Sequence, residues 1–120
     1  MDKLIDEQFA FQTEESKDSM VIAVTGRIDG VNAQKFYDNL NREIQDLDNN
    51  LILDFEKLSY INSAGLSSIL LAAKALQKKN KRFMLCSLPN SVMQVVKISG
   101  FDKIIDIYES RSTALSEITS

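Results

Sequence analysis

The order of apolar and polar positions changes rhythm several times along this chain, and each change marks an element. Phe9 and Phe11 alternate with their neighbours at a period of two, the pattern of a strand with one wet face. Glu14 to Asp18 is polar and predicts a hairpin loop. Met20 to Val24 is a continuous apolar run ending at Thr25-Gly26, as in a central strand. Ala33, Phe36, Tyr37, Leu40, Ile44 and Leu47 then recur at helical spacing, with Asn32 placed to cap and Val31 placed to staple onto Phe36. Asn49-Asn50 breaks that pattern, and Leu51 to Phe55 reads as a short buried strand. A loop from Glu56 to Asn62 leads to a second helix from about Ser63 to Lys79, whose core face is Leu66, Ile69, Leu70, Ala73 and Leu76. Phe83 to Cys86 is the next strand. Pro89 opens a third helix, where its missing N–H is not needed, and Gly100 closes it. Ile104 to Tyr108 is a last strand, and Ser110 or Ser112 starts a short final helix.

The predicted order is therefore β-β-α-β-α-β-α-β-α. The first two strands form a hairpin, and helical crossovers favour parallel pairing of the rest with right-handed connections. The fold class is α/β: a mixed, mostly parallel sheet packed against about four helices. In such sheets, sites gather in loops at the carboxyl ends of the parallel strands. Two loops are expected there, Gly26 to Gly30 and Ser59 to Leu66. The exposed side of the second helix should carry Ser63, Ser67, Leu71 and Lys74, which follow one another at spacings of three or four. Leu71 is an apolar residue on that otherwise polar face, suited either to anchor a partner or to cover a neighbouring helix.

Length and composition narrow the function. The 120 residues fit one domain, 1–120, with residues 1–7 expected to be a loosely ordered N-terminal segment. Hydrophobic residues make up 44% and charged residues 26%, the balance of a globular domain. The net charge of -3 supplies no basic field for nucleic acid or an anionic membrane. The basic cluster Lys78, Lys79, Lys81 and Arg82 reads as a solvated helix end. The first residues lack the apolar stretch of a signal peptide, and the run Ile69 to Ala73 is too short to span a bilayer. A cytoplasmic setting without direct membrane insertion is expected. Cys86 stands alone in an apolar run and reads as a buried small hydrophobe. Histidine is absent, which excludes Ser-His triads, Cys-His dyads and imidazole metal sites.

The chemistry then concentrates on Ser63. At a helix start the first N–H groups have no internal partners and, with the helix dipole, favour a negative group. A phosphate on Ser63 would find donors ready. The same position also suits a plain N-cap. Gly65 keeps the first turn open to close approach by a partner's backbone or a nucleotide. Asp29 follows the second strand and either faces Ser63 or closes an Asp-Gly turn. Asp54 ends a strand, where it could accept backbone hydrogen bonds from the Ser63 loop or simply be solvated. Nucleophilic catalysis by Ser63 is disfavoured, because no histidine can act as base and the residue three on is Leu66, not lysine. No metal site and no cofactor is expected, and no phosphate-cradling glycine loop supports nucleotide binding.

The stretch Leu53-Asp54-Phe55-Glu56-Lys57-Leu58-Ser59-Tyr60-Ile61-Asn62-Ser63-Ala64-Gly65-Leu66 resembles the signature of STAS domains, and in particular of bacterial anti-sigma factor antagonists. Gly26-Arg27-Ile28-Asp29 resembles that family's Gly-x-aliphatic-Asp element, and the element order agrees over nearly the whole chain. The resemblance implies a non-enzymatic, phosphorylation-controlled switch. The serine matching Ser63 is the phosphorylation site. The unphosphorylated form binds an anti-sigma factor that is also the serine kinase, which frees the sigma factor, and a serine phosphatase resets the switch. Partner contacts are then expected at Asp29, Asn62, Ala64, Gly65, Leu66, Ser67, Leu71 and Lys74. The family usually has Asp where this chain has Asn62, Ser or Thr at Ala64, and often Gly at Ser67. The alternative implied by the same family is a STAS subunit of a membrane lipid-transport ATPase complex.

Overall fold

The computed structural model describes residues 8–119; the expectation for residues 1–7 lies outside them. The elements are β1 (Phe9–Glu15), β2 (Ser19–Ile28), α1 (Ala33–Gln45), β3 (Asn50–Asp54), β4 (Leu58–Ile61), α2 (Ser63–Lys78), β5 (Phe83–Cys86), α3 (Asn90–Ser99), a 3-10 turn (Phe101–Lys103), β6 (Asp106–Tyr108) and α4 (Arg111–Thr119). The sheet has six strands in the order β1-β2-β3-β5-β6, with β4 added against β2. Only β1 and β2 are antiparallel; the other pairings are parallel. The described residues form the expected mixed, mostly parallel sheet with four helices.

Alternation along the strands builds two unequal cores. Ile22, Val24, Leu51, Leu53, Phe83 and Leu85 point to the side covered by α1, α2 and α3, where they join the main cluster. Val21, Ile52, Met84 and Cys86 point to the other side and pack on Ala114 of α4. Central parallel strands buried on both faces read as continuous apolar runs, as Leu51 to Leu53 and Phe83 to Cys86 do. Phe9 and Phe11 are half-buried and meet Phe36 edge-on, with ring centroids 5.7 and 5.8 Å away.

Several boundaries differ from expectation, each for a physical reason. β2 does not stop at Gly26. That glycine sits at φ +94°, and a Cβ there would lie 2.0 Å from the Gln8 carbonyl oxygen. The close crossing shifts the register, and β2 continues to Ile28 with a new neighbour. That neighbour is β4, inside the segment predicted as a Glu56–Asn62 loop. Its four residues show two buried ends around exposed Ser59 and Tyr60, so no period-two signal marks it; pairing with the tail of β2 makes it a strand. Val31 is 91% exposed and staples nothing. Within α2, Ala72 takes a core position, while Leu70 and Ala73 are only half-buried. The last strand begins at Asp106 because Gly100, at φ +82°, ends α3 and feeds the 3-10 turn. The basic cluster is more than a solvated end. Lys79 Nζ donates to the carbonyls of Ile44, Gln45 and Leu47 at 2.6, 3.1 and 2.9 Å, tying the ends of α1 and α2 together.

Candidate functional site

The carboxyl ends of β2 and β4 lie side by side. Ile28 pairs with Ile61, and Asn62 N–H donates to the Ile28 carbonyl at 2.9 Å. The two loops singled out from sequence therefore meet, and Asp29 and Asn62 leave the sheet as neighbours. Each then starts a helix. Asp29 Oδ1 accepts from Val31 N–H at 3.0 Å and from Asn32 N–H at 3.3 Å. Asn32 is not a side-chain cap of α1. Its Oδ1 instead accepts from Asp29 N–H at 2.9 Å, and its Nδ2 donates to the Arg27 carbonyl at 3.0 Å. These bonds form a closed turn, so the turn-residue reading of Asp29 holds. The hydrogen bond from the Val31 backbone outweighs the opposing desolvation, and with smaller help from the Arg27 side chain and the Asn32 backbone it holds the Asp29 carboxyl below its ordinary value. The Arg27 guanidinium, 3.2 Å from Asp29, lies over the Tyr60 ring at 5.0 Å.

The cap of α2 is Asn62, not Ser63. Asn62 has extended backbone dihedrals, and its Oδ1 accepts from Gly65 N–H at 2.8 Å. Ser63 is therefore the first residue of the helix and has no capping duty. Its side chain is exposed, and its hydroxyl has no hydrogen-bond partner among the described residues. The N–H groups of Ser63 and Ala64 likewise have no acceptor there, whereas Gly65 N–H is taken by Asn62 Oδ1 and Leu66 N–H by the Asn62 carbonyl. A free hydroxyl beside two free donors at a helix N-terminus is a prepared position for an anion carried on that oxygen.

Gly65 and Leu66 turn inward, which corrects their expected placement at a partner surface. A Cβ on Gly65 would sit 2.7 Å from Ile61 Cγ1 and 2.9 Å from Ile28 Cγ2. The glycine lets α2 close on the sheet. It does not open the turn to a ligand. Leu66 is 4% exposed. Ser67, Leu71 and Lys74 are exposed on the same side as Ser63 and Ala64, as their spacing predicted.

Asp54 is 4% exposed and far from solvated. Its Oδ1 accepts from Glu56 N–H at 3.0 Å, and its Oδ2 from Arg111 Nε at 2.9 Å. It fixes the start of the β3–β4 turn and holds α4 against the sheet. Arg111, which also reaches Glu14 at 3.3 Å, carried no readable signal in the sequence because its partners lie in β1 and β3. Cys86 is fully buried, and burial pushes its thiol up to about 11, which leaves it unreactive as a nucleophile. Among the described residues no group of acidic, histidine or cysteine side chains could hold a metal, and no helix is long and apolar enough to cross a membrane.

The family model of the STAS domain matches residues 10–114, the region that contains both cores and the paired loops. This chain belongs to the STAS domain family. BtrV of Bordetella bronchiseptica, a protein named as an anti-sigma factor antagonist, is 36% identical over 98 residues, which cover 81% of this chain and 84% of that protein. The crystal structure of an anti-sigma factor antagonist from Thermotoga maritima superposes with a TM-score of 0.84 at 21% identity, covering 92% of this chain and 95% of that one. The Bacillus protein SpoIIAA, an anti-sigma factor antagonist solved in its unphosphorylated form, superposes with a TM-score of 0.77 at 22% identity, covering 92% of this chain and 96% of that one. At those identities the two structures establish a shared STAS fold. The Ser63 helix start and the Asp29 turn thus belong to a STAS domain whose sequence relatives are named for sigma-factor regulation.

Proposed function

We propose that this STAS domain is an anti-sigma factor antagonist controlled by phosphorylation of Ser63. The carrying observation is the division of labour between neighbours: Asn62 caps α2, and the exposed Ser63 hydroxyl and the N–H groups of Ser63 and Ala64 have no partners among the described residues. The names of the sequence relatives supply the direction. The unphosphorylated face, with Asp29, Asn62, Ala64, Ser67, Leu71 and Lys74, binds an anti-sigma factor that is also a serine kinase. Binding releases the sigma factor in the cytoplasm. Phosphate transferred to Ser63 adds about -1.5 to -2 charges inside that contact. The helix N-terminus receives the new charge within the domain, so the fold is kept. The partner surface, shaped for a neutral hydroxyl, then meets an ion it must desolvate and the like charge of Asp29. A serine phosphatase restores the binding form. The domain performs no catalysis of its own. The alternative of a lipid-transport ATPase subunit is not carried forward, because the sequence relatives are named as sigma-factor antagonists.

The test is to incubate the chain with its kinase and ATP, map the phosphate by mass spectrometry, and compare partner affinity of the two forms by calorimetry. Phosphate is expected on Ser63, with binding at least about tenfold weaker afterwards, or about 1.4 kcal/mol. Phosphate mainly on Ser59 or Ser67, or equal affinity of both forms, would refute the proposal.

A further inference from the structure

The surface between α1 and α2 is not closed. A groove of about 480 Å³ runs between them, floored by Leu40, Ile44 and Ala72 and walled by Tyr37, Leu71 and Ala75. At its Ser63 end it opens into a second hollow that shares Tyr37, Ser68 and Leu71 and extends to Gly30 and Ala64. The two together follow α2 from Ala64 to Lys78, which at about 1.5 Å per residue is roughly 20 Å, the length of a helix of three to four turns. Both helices return from parallel strands and so run side by side in the same direction, and Lys79 bolts their far ends together through three carbonyls.

The chemistry of the groove is one-sided. Its lining includes Lys74, Lys78 and Lys79 and no acidic residue. Lys79 is consumed by the carbonyls, but Lys74 and Lys78 are exposed and have no acidic partner among the described residues. Their spacing of four puts them along one rim of α2. Of the acids of α1, Glu43 lines a separate hollow with Glu15, Asp46 and Asp48, and Asp38 lines neither part of the groove, although its partner Gln34, whose Nε2 donates to it at 3.0 Å, lines the second hollow. A protein of net charge -3 has thus segregated positive charge along an apolar trough.

We infer that this groove receives an acidic amphipathic helix of the protein partner, its apolar stripe on Leu71, Tyr37 and Ala75 and its carboxylates on Lys74 and Lys78. This rests on the reading that the Ser63 face binds a protein. A small polar ligand does not fit, because no set of polar groups converges on the apolar floor. An added strand does not fit either, because the walls are helices whose backbone groups are already paired along their length. A helix needs only apolar anchors at i, i+3, i+4 and i+7 and complementary charge at the rim, and the groove offers both.

The probe is a lactam-stapled 15-residue helix with leucines at i, i+3, i+4 and i+7 and glutamates on its flanks. Its controls are a twin with lysine for glutamate and an acidic peptide with the leucines scrambled. Titrations by calorimetry and by amide NMR shifts would use the wild-type chain and two surface variants, Lys74→Glu/Lys78→Glu and Leu71→Asp, with circular dichroism confirming their folds. The acidic helix should bind at least about tenfold more tightly than either control, with shifts centred on Tyr37, Leu71 and Ala75, and each variant should lose most of that margin. Equal binding of the acidic and basic twins, binding that survives both variants, or no binding would overturn the inference. So would sedimentation showing a dimer of this chain that Leu71→Asp dissolves, since a second copy would then occupy the groove. None of these outcomes touches the mapping of phosphate to Ser63, so failure here and failure of the phosphorylation reading remain distinct.

Discussion

Asn62 Oδ1 accepts the backbone N–H of Gly65 at 2.8 Å, and this one bond assigns roles to the residues around it. Asn62 closes the helix, and Ser63 beside it is released from structural duty. Asn62→Ala should therefore cost about 1 kcal/mol, within the usual range of 0.5–2 for a lost cap. Ser63→Ala, at an exposed and unbonded side chain, should stay within about 0.5 kcal/mol of wild type. Urea unfolding of both variants checks the order. A Ser63→Ala loss larger than that of Asn62→Ala would return the capping role to the serine.

Gly65 is predicted to tolerate no side chain. Alanine would gain about 1 kcal/mol in helix propensity but drive a methyl into Ile61 and Ile28, and overpacking costs about 1–3 kcal/mol. The net expectation for Gly65→Ala is a loss of about 1 kcal/mol, and Ile61→Ala, which removes both Cγ1 and Cδ1, should cost less in that chain than in the wild type. Thermal melts of the single and double variants measure this coupling. Additive losses would mean that Ile61 does not press on the glycine.

The bridge from Asp54 to Arg111 should matter more than any surface ion pair. Asp54 is buried, and Arg111→Ala would leave its carboxylate facing the protein with one donor fewer. We expect a loss of about 1–3 kcal/mol, whereas breaking the exposed Arg82–Asp106 pair with Asp106→Ala should cost under about 1 kcal/mol. Denaturant melts compare the two. Hydrogen exchange should also show α4 opening first in Arg111→Ala.

Asp29 gives a pH signature. Its carboxyl is held below 3.8 in the folded chain, chiefly by the Val31 N–H. A lowered folded value means that its contribution is fully present above the unfolded value, and is lost as pH falls through the folded one. Asp29→Asn should therefore flatten the stability profile on the acid side of 3.8 and leave the neutral side nearly parallel to wild type. Stability measured from pH 7 downward in both chains decides it. Parallel acid limbs would show that the turn places no demand on the charge.

Leu71 separates binding from folding. It is 50% exposed, so Leu71→Ala should change stability by about 0.5 kcal/mol or less. The same substitution should weaken the protein partner by about 1–2 kcal/mol, as loss of an interface anchor does. Leu66→Ala, at 4% exposure, should behave in the opposite sense, costing about 2–5 kcal/mol of stability. Partner calorimetry beside urea melts would show the split.

The sequence by itself determined the elements whose signal is local. The apolar runs at Leu51 to Leu53 and Phe83 to Cys86, the helical spacing from Ala33 to Ile44, and Gly100 at a helix end all report interactions within a few residues. The exposed line Ser63, Ser67, Leu71 and Lys74 was equally legible, because helical period alone sets it. What only the tertiary structure decided depends on partners distant along the chain. β4 has no strand signature of its own and exists because β2 runs past Gly26 to meet it. Leu70 and Ala72 exchange places relative to the expected core face because the crossing of α2 over the sheet selects the stripe. Gly65 looked like an opening for a ligand until Ile28 and Ile61 came up beneath it. The choice of Asn62 over Ser63 as cap turned on the extended backbone at Asn62. The parallel pairing of Ile28 with Ile61 sets that conformation, and a serine and an asparagine side by side at a helix start do not reveal it.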